Sequence, residues 1–528
     1  MLLADYFVDI AGAQSLSERD IGTGFFKHGV LWIISAFRAW LGNMTLTQHN
    51  TRPASERAGA QSAARCCIMT VTAPRRPASV YRLQNKGYHQ MAQDPLAGDA
   101  GSTYAPLTPV PDARRAFRTG DAFALWFSLG IGLLVAQAGA LLVPGLSLPH
   151  ALAAIGIGSV IGVVLLALAG VIGTDTGLAA MSSLRPTLGV RGASVPAVLN
   201  AVQLVGWGSF EVIVMRDSAD ALAKQAFGFS MPLIWTVIFG LLATLLAISG
   251  PLSFVRRFLR TWGIWLLLAG AAWLSWNLLA KHDLAELMRR PGTGEMSFGG
   301  AIDLVVAMPL SWLPLIADYT RFGRRPGETF RGTLLGYGIA NIWFYALGAI
   351  YGLAAGGGDA LLTGALAQAG GGLALLLILI DEVDNAFADI HSAAVSTGTF
   401  WTRGSVPLLS AAFGALCTAI ALLVPMAKYQ NFLLLIGSVF APLFGVVLVD
   451  HFIVRKRRIE AAVLGDVRGR YGFSGGWHLS AFISWAIGIA AYQAINQWLP
   501  NLGATLPALV IGAVCYLALV STRKTAYA

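Results

Sequence analysis

The chain has 528 residues, of which 56% are hydrophobic and only 12% charged, with 60 Gly and 15 Trp. That composition excludes an ordinary soluble protein of this size and reads as a polytopic membrane protein, an all-α chain with the bilayer as its surroundings. The formal net charge of +10 does not mark a nucleic-acid partner, because the arginines collect on alternate loops: Arg114, Arg115 and Arg118, then Arg185 and Arg191, then Arg256, Arg257 and Arg260, then Arg321, Arg324, Arg325 and Arg331, then Arg455 to Arg458.

In chain order, residues 1–118 read as an N-terminal extension. A moderately apolar piece at 24–42 is broken by Lys27, His28 and Arg38, and a polar stretch follows. The piece lacks the basic start of a signal peptide. The extension is expected to be disordered or in part a mis-assigned start, with Met91 opening the native tail. A membrane body is expected over 119–521 and a cytoplasmic tail over 522–528. Stretches near the roughly 20 apolar residues needed to cross hydrocarbon centre on residues 133, 162, 204, 240, 268, 308, 343, 380, 414, 440, 488 and 512, which predicts about 12 transmembrane helices. With the basic loops inside, both termini face the cytoplasm and the chain belongs in the inner membrane. Four cysteines, two of them adjacent at Cys66 and Cys67, imply neither a disulfide framework nor a zinc site.

Two spans are interrupted. The first holds Gly130, Gly132, Gly139 and Pro144, and the sixth holds Pro309 and Pro314. Proline removes a backbone donor, and such gaps at membrane depth are tolerated where they are buried or line a cavity. Breaks at positions one and six predict a five-plus-five inverted repeat with a site between the halves.

The eighth span carries Asp381, Glu382, Asp384, Asp389 and His391, and ionisable groups at this depth are costly and mark ion or substrate paths. At about 100° per residue, Asp381, Asn385, Asp389 and Ser392 share a stripe flanked by Glu382. Asp389 and His391 are expected near the hydrated cytoplasmic end. On the third span, Gln203, Trp207 and Glu211 recur every fourth position and share a face. An indole with an amide and a carboxyl suits a flat ring that hydrogen-bonds at its edge.

Three segments together resemble the nucleobase:cation symporter family, the group of cytosine permeases, hydantoin transporters and hydroxymethylpyrimidine permease-like proteins, over roughly residues 115–521. Arg185, Leu188, Gly189 and Gly192 match the turn before its third helix, followed by Gly206 and Trp207. ADYTRFGRR at 317–325 resembles its sixth-helix ending, with Ala317 replacing a proline and Tyr319 a phenylalanine. The eighth-helix run DEVDNAFADIHS looks closest to the hydroxymethylpyrimidine permease-like branch.

The resemblance implies one planar heterocycle bound beside a cation, with Trp207 stacking on the ring and Glu211 standing where hydantoin-type members have an amide. Pro309 falls where the family has a second aromatic, so Trp312, with the Ser311 hydroxyl, is the expected replacement. Asn385 joins the substrate set. Gln137, near the first break, is either a substrate contact or a helix-packing amide. Asp381 and Glu382 fall where sodium-coupled members carry hydroxyls, and with Asp384 they form the expected coupling group. Carboxyls there would bind Na+ or carry H+ themselves, since an uncompensated buried charge is expensive. Asp318 and Arg321 are expected to close the helix end or gate it.

The expected function is a cation-coupled symporter for a small pyrimidine-like heterocycle, hydroxymethylpyrimidine (a thiamine precursor) or cytosine, with an allantoin, hydantoin or purine permease as the alternative. No organic cofactor, no catalytic residue and no obligate protein partner is implied. An intramembrane aspartyl protease is disfavoured because the acids cluster on one helix and GGGD at 356–359 lies in a Gly-rich connection. A channel is disfavoured because no symmetric acidic ring is encoded.

Overall fold

Helix is the form in which an apolar run satisfies its own backbone without water, and the computed structural model is helical at every span expected above. It describes residues 108–249, 264–354, 372–398, 400–401, 404–460 and 464–525. The expected extension before 108, both cysteines at 66 and 67, and the connection 355–371 with its GGGD lie outside the described residues.

The first span is α1 (Thr119–Gly130) followed by α2 (Leu133–Ala140). Then come α3 (Leu148–Thr176), α4 (Ser194–Phe227), α5 (Pro232–Ser249) and α6 (Ile264–Lys281). The sixth span is α7 (Phe298–Ser311) with α8 (Ile316–Thr320). It is followed by α9 (Pro326–Ala354), α10 (Gly372–Gly398), α11 (Val406–Leu423), α12 (Tyr429–Val449), α13 (Leu479–Trp498) and α14 (Thr505–Thr525). Seven of the described helices are long and apolar enough to cross a membrane, and α1 with α2 forms an eighth span bent by 56°. The fold is therefore that of two five-helix halves with α13 and α14 at the periphery, packed on each other and on α12.

Small residues let the broken spans sit close to straight ones. On α9, Gly336 faces the backbone of Phe123 and Gly348 the backbone of Ala136, so a side chain at either glycine would collide with the first span. Along α3, Gly158 faces Val305 and Gly162 faces Pro309 of the sixth span. Close backbone approach through small residues is how helices associate in lipid, where no hydrophobic drive brings them together. Each interrupted helix thus lies against an uninterrupted one that fixes its position.

The structure describes both ends of the expected membrane body. Residues 108–118 are folded onto the body: Arg115 donates from Nη1 to the Thr174 carbonyl and from Nε to that of Val110, both at 2.9 Å, while Phe117 N–H donates to Phe322 O at 3.0 Å. Arg115 thereby joins this segment to the end of α3 through the Thr174 carbonyl. At the other end, α14 runs to Thr525, beyond the expected limit of 521.

Candidate functional site

The first span breaks because Ile131 and Gly132 are extended (ψ 127° and 153°). The break frees backbone groups that need partners at a depth where water supplies none. Glu382 of α10, fully buried, accepts from the Leu133 N–H. Tyr429, at the start of α12, donates its hydroxyl to the Leu134 carbonyl at 3.1 Å. One donor and one acceptor of the same turn are thus held by two different helices.

The sixth span breaks after α7, where Trp312 and Leu315 leave the regular path. Gln203 of α4 donates to the Ser311 carbonyl at 3.1 Å and to Asn200 Oδ1 at 2.9 Å. The Ser311 hydroxyl turns back to Met308 O at 2.7 Å.

Between the two breaks lies a cavity of about 30 Å³. Trp207 and Glu211 of α4 form one wall, and Asn385 and Asp389 of α10 another. Ser311, Trp312, Met308 and Leu315 come from the sixth span, and Ile131, Gly132, Leu134 and Val135 from the first. Gly208 lies close to two helices, since a Cβ there would stand 3.1 Å from Cys417 Sγ of α11 and 3.7 Å from Asp389 Cβ of α10. Trp207 is set edge-on by Tyr429 at 5.9 Å and Phe432 at 5.4 Å between ring centroids. Trp312 packs edge-to-face on Trp126 at 5.8 Å, and Trp126 also meets Tyr319 and Tyr337. The cavity has room for a water-sized body.

Five of the seven expected substrate residues, Trp207, Glu211, Ser311, Trp312 and Asn385, line this one cavity. Two do not. Gln203 is occupied with bracing the sixth-span break, and Gln137 is buried within α2 beyond the cavity wall. Asp389 is corrected the other way: it is only 6% exposed and faces the cavity instead of a hydrated helix end. Its place on the stripe of Asp381 and Asn385 was the signal that could have found it. Pro309 packs on Gly162 of α3, which explains why Trp312 takes the wall position.

Of the coupling group, Glu382 stands at the first-span break, 3.5 Å from Asn385 Nδ2. Asp384 is half-buried and does not line the cavity. The Asp381 side chain lies outside the described residues. Asp318 accepts from Ala180 N–H at 2.9 Å, tying α8 to the connection between α3 and α4. Arg321 is buried with its guanidinium 5.0 Å over the Phe322 ring. Both sit at the end of the sixth span, away from the cavity. Among the described residues no group of three or more His, Cys, Asp or Glu could hold a metal ion.

A multi-pass helical protein with a small, largely apolar cavity between two broken spans, into which a few polar side chains are set, has the build of a secondary transporter. Residues 109–514 match the family described as permease for cytosine/purines, uracil, thiamine, allantoin, and the chain belongs to that family. Its relatives are permeases, not enzymes. It is 23% identical to the allantoin permease of Bacillus subtilis (strain 168) over 442 residues, covering 75% of this chain and 87% of the relative. It is 28% identical to the cytosine permease of Escherichia coli (strain K12) over 430 residues, covering 79% and 94%. Among solved structures, the fold is similar to that of Mhp1, a nucleobase-cation-symport-1 family transporter in a closed conformation with bromovinylhydantoin bound. The TM-score is 0.68 at 21% identity, covering 79% of this chain and 94% of that one.

Proposed function

We propose that this permease is a proton-coupled symporter that carries an amino-substituted pyrimidine, of the hydroxymethylpyrimidine or cytosine kind, into the cytoplasm, with both termini on the cytoplasmic side of the inner membrane. The observation that carries the substrate reading is the pair of carboxyl side chains, Glu211 and Asp389, in one cavity with Trp207. An exocyclic amino group presents N–H donors, which an ionised carboxylate, an acceptor only, can take. A diketo ring such as hydantoin sets carbonyl oxygens beside its N–H, and these repel a carboxylate. Coupling is assigned to Glu382, whose carboxyl stands at the first-span break and is linked there to both the backbone and Asn385.

Alternating access follows from this arrangement. With the ring between Trp207 and Trp312, the walls close and exclude water. Protonation of Glu382 removes its negative charge from the N–H of Leu133, loosening the grip of α10 on the first span, and deprotonation on the other side restores it. Uptake into proteoliposomes tests the reading. A pH gradient should drive accumulation of cytosine or hydroxymethylpyrimidine in preference to allantoin and hydantoin. Accumulation driven by sodium alone at symmetric pH, with none from a proton gradient, would overturn the coupling assignment.

A further inference from the structure

A second cavity, of about 770 Å³, lies at the arginine-rich end of α12 and α14, remote from the two broken spans. The sequence places Arg455, Lys456, Arg457 and Arg458 directly after α12, whose last turn widens over Asp450–Val454. Lys456 and Arg457 then adopt left-handed backbone, with φ of 51° and 64°. Residues with a Cβ enter that region at a cost. Here Arg455 N–H donates to Asp450 O at 2.8 Å and Arg457 N–H to His451 O at 2.7 Å, which hold the turn. The turn's effect is to gather the guanidinium groups of Arg455, Arg457 and Arg458 on one cavity, where Arg470 joins them.

The carboxylates nearby are already committed. Asp450, with no exposed surface, accepts from the hydroxyls of Thr187 and Tyr516 and from Arg455 Nε, each at 2.7 Å. Asp175 binds Arg457 through both oxygens at 2.7 and 2.9 Å. Glu460 pairs with Arg470 at the exposed rim, where an ion pair is weak. Arg458 is exposed and makes no salt bridge among the described residues. The same lining also holds the apolar side chains of Val454, Ile459, Phe473 and Val520, and Ile453 on the same turn is 56% exposed. A soluble phosphate ester would use only the basic side chains. The apolar ones in the same lining, at the end of membrane spans, suit a molecule that is anionic at its head and apolar behind.

We propose that this cavity binds the phosphodiester of an anionic phospholipid at the arginine-rich face of the membrane, with Arg458 and Arg470 contacting the phosphate. Guanidinium forks match phosphate oxygens in pairs, and basic pockets between spans are a recurrent form of headgroup recognition.

The test uses the purified full chain in detergent and reads lipid retention by native mass spectrometry, without any transport assay. Its result is therefore separate from that of the permease reading. Phosphatidylglycerol should be retained over phosphatidylcholine. Arg458→Gln and Arg470→Gln should each weaken retention about fivefold, by the scale of one basic residue at a charged surface. Glycerol 3-phosphate and inorganic phosphate at matched concentration should not displace the lipid. Equal retention of the two lipids, unchanged retention in both variants, or displacement by inorganic phosphate would overturn the proposal, the last pointing to a soluble anion instead. Arg458 has no ion pair among the described residues to lose, so its variant keeps the test sound if Arg470→Gln disturbs the loop.

Discussion

Glu382 accepts the N–H of Leu133, the first residue of the helix that resumes after the first-span break. The carboxyl thereby does for α2 what a capping residue does for a soluble helix, from a different span. When ionised, the carboxyl would also meet the positive end of the helix dipole. Loss of the charge and loss of the acceptor are separable, and substitution can tell them apart.

Glu382→Gln keeps a carbonyl oxygen that can accept from Leu133, and removes the titratable group. Expected is a protein at normal membrane levels that exchanges labelled substrate across the bilayer but no longer accumulates it against a gradient. Glu382→Ala also strands the buried N–H, at a cost of about 1–3 kcal/mol, so its thermal midpoint should fall while that of Glu382→Gln stays near the parent. Full gradient-driven accumulation by Glu382→Gln would remove Glu382 from the coupling path.

Trp207 offers its ring to the cavity while Tyr429 and Phe432 pin it from behind. Trp207→Ala should weaken substrate binding by roughly 1–3 kcal/mol, the scale of base–aromatic stacking, and Trp207→Phe by less. Binding measured by tryptophan-independent calorimetry checks this. Equal affinity in parent and Trp207→Ala would mean that the indole only packs helices.

The sequence showed the spans plainly because each is a long apolar run, and the breaks because proline and glycine have no other business in such numbers there. It showed Trp207, Glu211 and Asn385 because helical spacing puts them on faces of adjacent spans. Gln203 was misread because its spacing from Trp207 places it on the right face without saying that the freed Ser311 carbonyl would claim it. Tyr429 and Trp126 were invisible as site supports. Each acts through a partner distant in sequence, Leu134 for one and Trp312 for the other, and no local pattern encodes those pairings.

Asp303 of α7 accepts from the backbone N–H groups of Ala504 and Thr505, the latter at 3.1 Å from each oxygen. This fastens the first half of the broken sixth span to the start of α14. Asp303→Ala leaves two N–H groups without their acceptor, and should destabilise the purified protein by about 1–3 kcal/mol. Asp303→Asn, which keeps one carbonyl oxygen, should lose less. Thermal unfolding followed by circular dichroism separates the two. An unchanged midpoint for Asp303→Ala would show that α14 is held by apolar packing alone.

Glu211 and Asp389 enter the same cavity from α4 and α10, and the choice of substrate is expected to turn on them. Hydrogen bonds to charged groups contribute about 1.5–3 kcal/mol, or roughly ten- to a hundredfold in affinity at 1.4 kcal/mol per decade. Each of Glu211→Gln and Asp389→Asn keeps a neutral acceptor worth about 0.5–1.5 kcal/mol, and should therefore weaken cytosine or hydroxymethylpyrimidine by the difference, about 1–1.5 kcal/mol or roughly five- to tenfold. An amide presents a donor beside an acceptor, so the same changes should leave hydantoin or allantoin unaffected or improved, because the donor now faces a ring carbonyl. Competition against one labelled substrate, run with a panel of amino and diketo rings on parent and variants, measures the exchange of preference. A uniform loss across the panel would indicate that the acids shape the cavity without reading the ring. A loss confined to the amino compounds would assign the reading to these two carboxyls.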